Sequence, residues 1–185
     1  MKKSLIMAIL FSGLASAPVA AAAPYISLSG GIGLPGEWKE TNYSTDKLNS
    51  GIVLSGAVGY SGRNTRFEGA LGYQQHNWTI PTNNDSVSFL TMMANGYYGR
   101  NGESGFSPYV MAGAGFTRAN ASWSIRSNTN FVWQVGAGFG VKLDEKFTID
   151  VGYRYFKPEG LECPEEGNSV NWKSHNILAG IRYML

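Results

Sequence analysis

A single cysteine, Cys163, stands in 185 residues, so no internal disulfide braces the fold and a disulfide-stapled secreted module is excluded. Charge is scarce as well. Asp, Glu, Lys and Arg make up 15%, where a typical soluble domain carries about 25%. The net charge of +2 comes without a basic cluster, so nucleic acid is not an expected partner. Histidine occurs only at His76 and His175, which leaves few options for a base catalyst or a metal ligand set. Beyond the N-terminal segment, no apolar run approaches the roughly 20 residues of a membrane helix. What the chain does have is glycine, at 24 residues, and aromatics, at 13%. Low charge, glycine and aromatics together suit an all-β wall against lipid better than a soluble sandwich.

Residues 1–22 are expected to be a cleaved secretory signal. Lys2 and Lys3 give the positive start, Leu5 to Leu14 the apolar run, and Ala20-Ala21-Ala22 the small-residue cleavage region. Pro24 disfavours processing directly before it, which puts the cut between Ala22 and Ala23. The apolar run is too short to span a bilayer. Residues 23–185 then form one domain.

From there, alternation with a period of two dominates, the signature of strands with two unlike faces. The last stretch has it most strongly. Ile177, Ala179, Ile181, Tyr183 and Leu185 form a continuous apolar set, while Asn176, Leu178, Gly180, Arg182 and Met184 form a mixed one. Seven earlier stretches repeat the pattern. Ile26, Leu28 and Ile32 oppose Ser27, Ser29 and Gly31, and Ile52, Leu54, Val58 and Tyr60 oppose Ser55, Ala57 and Gly59. Phe67, Leu71 and Tyr73 oppose Arg66, Glu68, Ala70, Gly72 and Gln74. Leu90, Met92, Ala94 and Tyr98 oppose Met93, Asn95 and Tyr97. In the fifth to seventh, one parity is Val, Ala, Ile and aromatic, and the other holds Gly113, Gly115, Gly136, Gly138, Gly140, Asp150, Gly152 and Arg154.

The connections alternate. Polar intervals at 34–50, 75–85, 119–130 and 157–173 are long, and those at 61–64, 101–105 and 144–146 are short. Short turns on one side and long loops on the other are the pattern of an outer-membrane barrel, whose apolar parity meets lipid. The expected fold is all-β: an eight-stranded antiparallel up-and-down transmembrane β-barrel with four long extracellular loops and three short periplasmic turns. Eight strands close on an interior just wide enough for side chains, and the glycines of the inward parity leave room for larger neighbours. A soluble lipocalin-type barrel would show the inverse polarity, with an apolar lumen and a charged outside.

Three motifs carry a family likeness: Ala94-Asn95-Gly96-Tyr97-Tyr98, Pro108-Tyr109-Val110 with Ala112-Gly113-Ala114-Gly115, and Val151-Gly152-Tyr153-Arg154-Tyr155. With the terminal strand they make the chain resemble the small outer-membrane β-barrel superfamily. That group includes OmpA-like transmembrane domains, opacity-type porins and surface antigens of intracellular bacteria. The resemblance implies location in the bacterial outer membrane, contact with its lipid, and a surface role in membrane integrity or adhesion. Host or environmental ligands would bind through the loops. It also implies that Ile177, Ala179, Ile181, Tyr183 and Leu185 are read by the barrel-assembly machinery. Leu185 departs from the usual terminal Phe. A small-solute, porin-like channel is the alternative function.

The inward parity also collects charge at Arg66, Glu68, Asp150, Arg154 and Arg182. Buried charges must be paired, so these five are expected to form a structural ion network plugging the lumen. Three cations against two carboxylates leave one guanidinium, expected to be satisfied by Gln134, Asn95 or water. A lipid-modifying enzyme would need a nucleophile beside a histidine. Ser174 and His175 are adjacent, hence on opposite faces, and His76 has no acid near it in its strand. No catalytic, cofactor or metal site is expected. Tyr60, Tyr73, Trp78, Tyr98, Trp123, Trp133 and Trp172 are expected to form interfacial aromatic girdles.

Overall fold

The computed structural model describes residues 22–36, 49–77, 86–99, 105–121, 129–162, 169–170 and 172–185. The proposed signal, except Ala22, lies outside the described residues. So do the central parts of the long connections (37–48, 78–85, 122–128 and 163–168), which include Trp78, Trp123 and Cys163.

Strands run in the order β1 (Ala23–Pro35), β2 (Gly51–Ser61), β3 (Thr65–Asn77), β4 (Ser86–Gly99), β5 (Phe106–Ala121), β6 (Thr129–Lys142), β7 (Phe147–Pro158), β8 (Leu161–Glu162), β9 (Ser169–Val170) and β10 (Ser174–Met184). β8 and β9 pair only with each other, inside the last long connection. The other eight close into a barrel, each bonded antiparallel to its sequence neighbours, with β10 returning to β1. Closure pairs Ser27 with Arg182 and Leu28 with Ile181. The amide of Leu185 donates to the carbonyl of Pro24, and that of Met184 to Lys146. Both ends of the barrel chain therefore lie at the rim of the short turns, the periplasmic side by the general asymmetry of such barrels.

The strands overrun the expected loop boundaries. Leu34, Pro35, Gln75, His76 and Ala119 all lie within strands. Near the rim of the long connections the inward residues turn polar, so hydrophobic alternation fades while the backbone ladder continues. At the opposite rim the β6–β7 turn is fixed by Asp144, whose Oδ1 accepts from the amides of Lys146 and Phe147, both at 2.7 Å. These bonds hold its carboxyl below the usual range.

Outward side chains are apolar all round: Leu28, Leu71 and Val58 are each more than 60% exposed, while inward Met93, Tyr97 and Arg182 are 5–6% exposed. Soluble proteins rarely expose apolar patches beyond a few hundred Å². A continuous belt of this kind is a lipid-facing surface.

Inside, glycine makes room for Tyr109. A Cβ on Gly152 would meet the Tyr109 hydroxyl at 2.8 Å, and one on Gly138 would meet it at 2.6 Å. Gly152→Leu should therefore displace the Tyr109 ring and destabilise the barrel by about 1–3 kcal/mol. Thermal unfolding in detergent checks this, and a Tm equal to that of wild type would contradict the packing.

Candidate functional site

The inner half of the lumen is closed by a charged cluster. β3 and β7 lie opposite each other in the barrel order, and inward parity aims Arg66 and Asp150 across the interior. Arg66 Nη1 reaches Asp150 Oδ2 at 3.4 Å. Arg182, from β10 beside β7, approaches the same carboxylate, with Nε 3.2 Å from Oδ2 and Nη2 3.4 Å from Oδ1. The Nε contact is electrostatic only, because its hydrogen points off the line to the oxygen and finds no acceptor among the described residues. One carboxylate thus serves two guanidiniums. Arg66 is further held by the faces of Tyr97 and Tyr109, 4.3 and 4.8 Å from their ring centres.

Glu68 corrects the expectation. Among the described residues it forms no ion pair. Instead it accepts from Tyr25 at 2.8 Å, from Asn95 at 3.1 Å and from the Tyr97 hydroxyl. Three neutral donors satisfy this buried carboxylate, while Arg66, two residues earlier on the same face, points across to Asp150. Arg154 departs as well. Its only polar contact among the described residues is a 3.4 Å bond to the Tyr97 hydroxyl. Gln134 does not serve it, donating instead to Asn95 Oδ1 at 2.7 Å.

The outer half is closed differently. Gln74 and His76 on β3 face Ser174 and Asn176 on β10. Gln74 Nε2 donates to Ser174 Oγ at 2.9 Å, Ser174 donates to Asn176 Oδ1 at 3.0 Å, and Asn176 Nδ2 donates to Gln74 Oε1 at 3.2 Å. Gln74 Nε2 also lies 2.5 Å from His76 Nε2, and His76 Nδ1 lies 3.4 Å from the carbonyl of Asn49. Both contacts fit the tautomer protonated at Nδ1.

Trp172 caps this layer, and it is a second correction. It is 2% exposed, stacked on Phe89 at 4.4 Å and edge-on to Phe156 and His76 at 5.9 and 5.4 Å. The indole fills the outer mouth of the barrel, because that is where the largest apolar area leaves water. It does not sit in a lipid-facing girdle. Tyr60, Tyr73 and Tyr98 do face outward and are exposed, and outward Trp133 donates to Glu159 at 2.9 Å. Cavities of about 20 and about 30 Å³ interrupt the packing, each on the scale of a water or two.

Neither histidine is hydrogen-bonded to Ser174, whose hydroxyl is engaged by Gln74 and Asn176. His175 lies on the outer face, with Nδ1 2.6 Å from the Tyr153 hydroxyl. Among the described residues, no three His, Cys, Asp or Glu side chains converge as metal ligands. Ile177, Ile181 and Leu185 point outward and are exposed, Ala179 shares their face, and Tyr183 packs on Phe147 at 4.9 Å. Sequence reasoning missed Tyr25 and Phe89 as lumen residues, although inward parity was the signal for both, while Gln74 lies on the inward face where parity put it.

The family model for an outer membrane protein beta-barrel domain matches residues 6–184. Among curated proteins, outer membrane protein PagN of Salmonella typhimurium is 29% identical over 83 residues, covering 38% of this chain and 35% of that protein. The match therefore spans about a third of that relative's length. Among solved structures, Neisserial surface protein A superposes with a TM-score of 0.64 at 19% identity, covering 88% of this chain and 97% of its own. OprG from Pseudomonas aeruginosa gives 0.54 at 14% identity, with 89% and 97% covered. The attachment invasion locus protein of Yersinia pestis, in complex with the heparin analogue sucrose octasulfate, gives 0.51 at 20% identity, with 88% and 99% covered. At such identities these three speak for the fold alone.

Proposed function

The chain belongs to the family of outer membrane proteins built on a β-barrel domain, and from that premise we propose that it works as a surface-contact protein, binding host or environmental ligands through its four long connections. The barrel lies in the lipid of the bacterial outer membrane and holds those connections at one rim. The single observation that carries this reading is the double closure of the lumen. Asp150 with Arg66 and Arg182 fills the inner half, and Trp172 with Phe89 and Phe156 fills the outer mouth. With so little passage inside, the solvent-facing chemistry belongs to the connections.

Two further parts of the reading go with it. The protein is not an enzyme: Ser174 Oγ is engaged by Gln74 and Asn176, and among the described residues no carboxylate orients either histidine. The outward row Ile177, Ala179, Ile181, Tyr183 and Leu185 serves as the signal to the barrel-assembly machinery.

The test expresses the full chain in a non-adherent laboratory bacterium and counts cells bound to an epithelial monolayer. Binding should rise at least tenfold and be lost when residues 37–48 and 163–168 are replaced by short Gly-Ser linkers with surface expression retained. The purified protein in a planar bilayer should give no sustained conductance. Steady ion-selective openings, with no gain in cell binding, would promote the small-solute channel instead.

A further inference from the structure

The lumen holds three guanidiniums, Arg66, Arg154 and Arg182, against two carboxylates, Glu68 and Asp150. Asp150 is shared by Arg66 and Arg182, and Glu68 is saturated by Tyr25, Asn95 and Tyr97. Arg154 meets Glu68 only through the Tyr97 hydroxyl, and the five groups together carry one net positive charge. Arg154 uses one of its five N–H donors, on a hydroxyl that itself donates to Glu68. Arg154 is only half-buried, and the excess charge of the lumen is lowered in energy where an anion accompanies it.

Beside Arg154 lies the cavity of about 30 Å³, walled on its polar side by Asn95, Gln134, Asn176, Gln74 and Thr91. Their acceptors are largely spoken for. Asn95 Oδ1 takes the Gln134 amide, Gln74 Oε1 takes the Asn176 amide, and Asn176 Oδ1 takes the Ser174 hydroxyl. The wall therefore offers Arg154 no negative charge and few oxygens. The volume exceeds the roughly 10–15 Å³ that one water requires, yet it is far too small for a phosphate or an organic acid. A water would fill the space and leave the charge unbalanced.

We propose that this cavity is a binding site for one small monovalent anion, chloride or another halide, held by Arg154. The ion brings the lumen to neutrality and ties the inner cluster to the outer polar layer, since Arg154 and Asn176 are direct neighbours across β7 and β10.

Refolding in the presence of the ion loads the site whether or not the folded lumen exchanges it. The full chain is refolded from denaturant into detergent in sodium bromide, crystallised, and searched for anomalous scattering. A bromide peak in the cavity, within hydrogen-bonding distance of the Arg154 guanidinium, is expected. In parallel, thermal unfolding is compared after refolding in chloride and in gluconate at equal ionic strength. Chloride at ten times its Kd should raise Tm by about 3–5 °C, and Arg154→Met should erase that difference. Absence of a bromide peak, or a Tm indifferent to the anion in the wild type, overturns the site. An anion dependence that persists undiminished in Arg154→Met overturns the assignment to this residue.

Discussion

Asp150→Ala is expected to be among the most damaging single substitutions in the inner half of the lumen. The carboxylate is the sole ion-pair partner, among the described residues, of both Arg66 and Arg182, and its loss strands two guanidiniums at once. Breaking a buried pair costs about 3–5 kcal/mol. Asp150 retains 19% side-chain exposure, so water reaches it and the lower end of that range applies. About 3 kcal/mol corresponds to a fall in Tm of roughly 6–12 °C for a domain of this size. The shared geometry makes a sharper statement through a double-mutant cycle. Arg182→Ala alone removes one of two cations and leaves Arg66–Asp150 intact, so its cost should be the smaller. On the Asp150→Ala background, Arg182→Ala should cost little more, or even restore some stability, since it removes a stranded charge. Thermal unfolding of the four proteins in one detergent is the measurement. Additive losses would mean that Asp150 and Arg182 do not act as a pair.

The barrel was legible because a transmembrane strand writes its two faces into alternate positions. Ile177, Ala179 and Ile181 against Arg182 and Gly180 could not be a helix, and eight such stretches with alternating connections leave one architecture. Which inward residues meet is a different matter, fixed by the stagger between strands and by distance across the lumen. Arg66 and Glu68 are two apart on one strand, yet one crosses to β7 and the other is satisfied by Tyr25, Tyr97 and Asn95 nearby. Nothing in the local sequence separates them. The outer layer was harder still. Gln74, His76, Ser174 and Asn176 are polar, and although only His76 falls in a stretch that resembled loop, alternation does not show which partners the four meet. Their hydrogen bonds join residues about a hundred positions apart. Trp172 lies outside any strand, where alternation carries no information about direction. A tryptophan near a strand end suits a girdle as well as a cap, and only packing distinguishes them.

That packing supplies the other large effect. Trp172 is the largest fully buried side chain among the described residues, and it touches three rings on three strands: Phe89 on β4, Phe156 on β7 and His76 on β3. It sits in one apolar cluster with Val87, Ala119 and Val132. Truncation to alanine would leave a cavity at the mouth that strand backbones cannot collapse to fill, because the ladder bonds fix their spacing. Trp→Ala at such a site costs about 3–5 kcal/mol. The indole also holds a buried N–H with no partner among the described residues, an unsatisfied donor of the kind that costs about 1–3 kcal/mol. Trp172→Phe discards that donor while keeping a ring on Phe89, so the two losses partly cancel, and phenylalanine should fall close to wild type. The order expected in thermal unfolding is wild type near Trp172→Phe, with Trp172→Ala far below both. The inner cluster is untouched by either change, so planar-bilayer recordings of Trp172→Ala should still give no sustained conductance. An alanine variant as stable as wild type would mean that the indole is not the outer plug. An alanine variant that conducts would mean that the inner cluster alone does not seal the barrel.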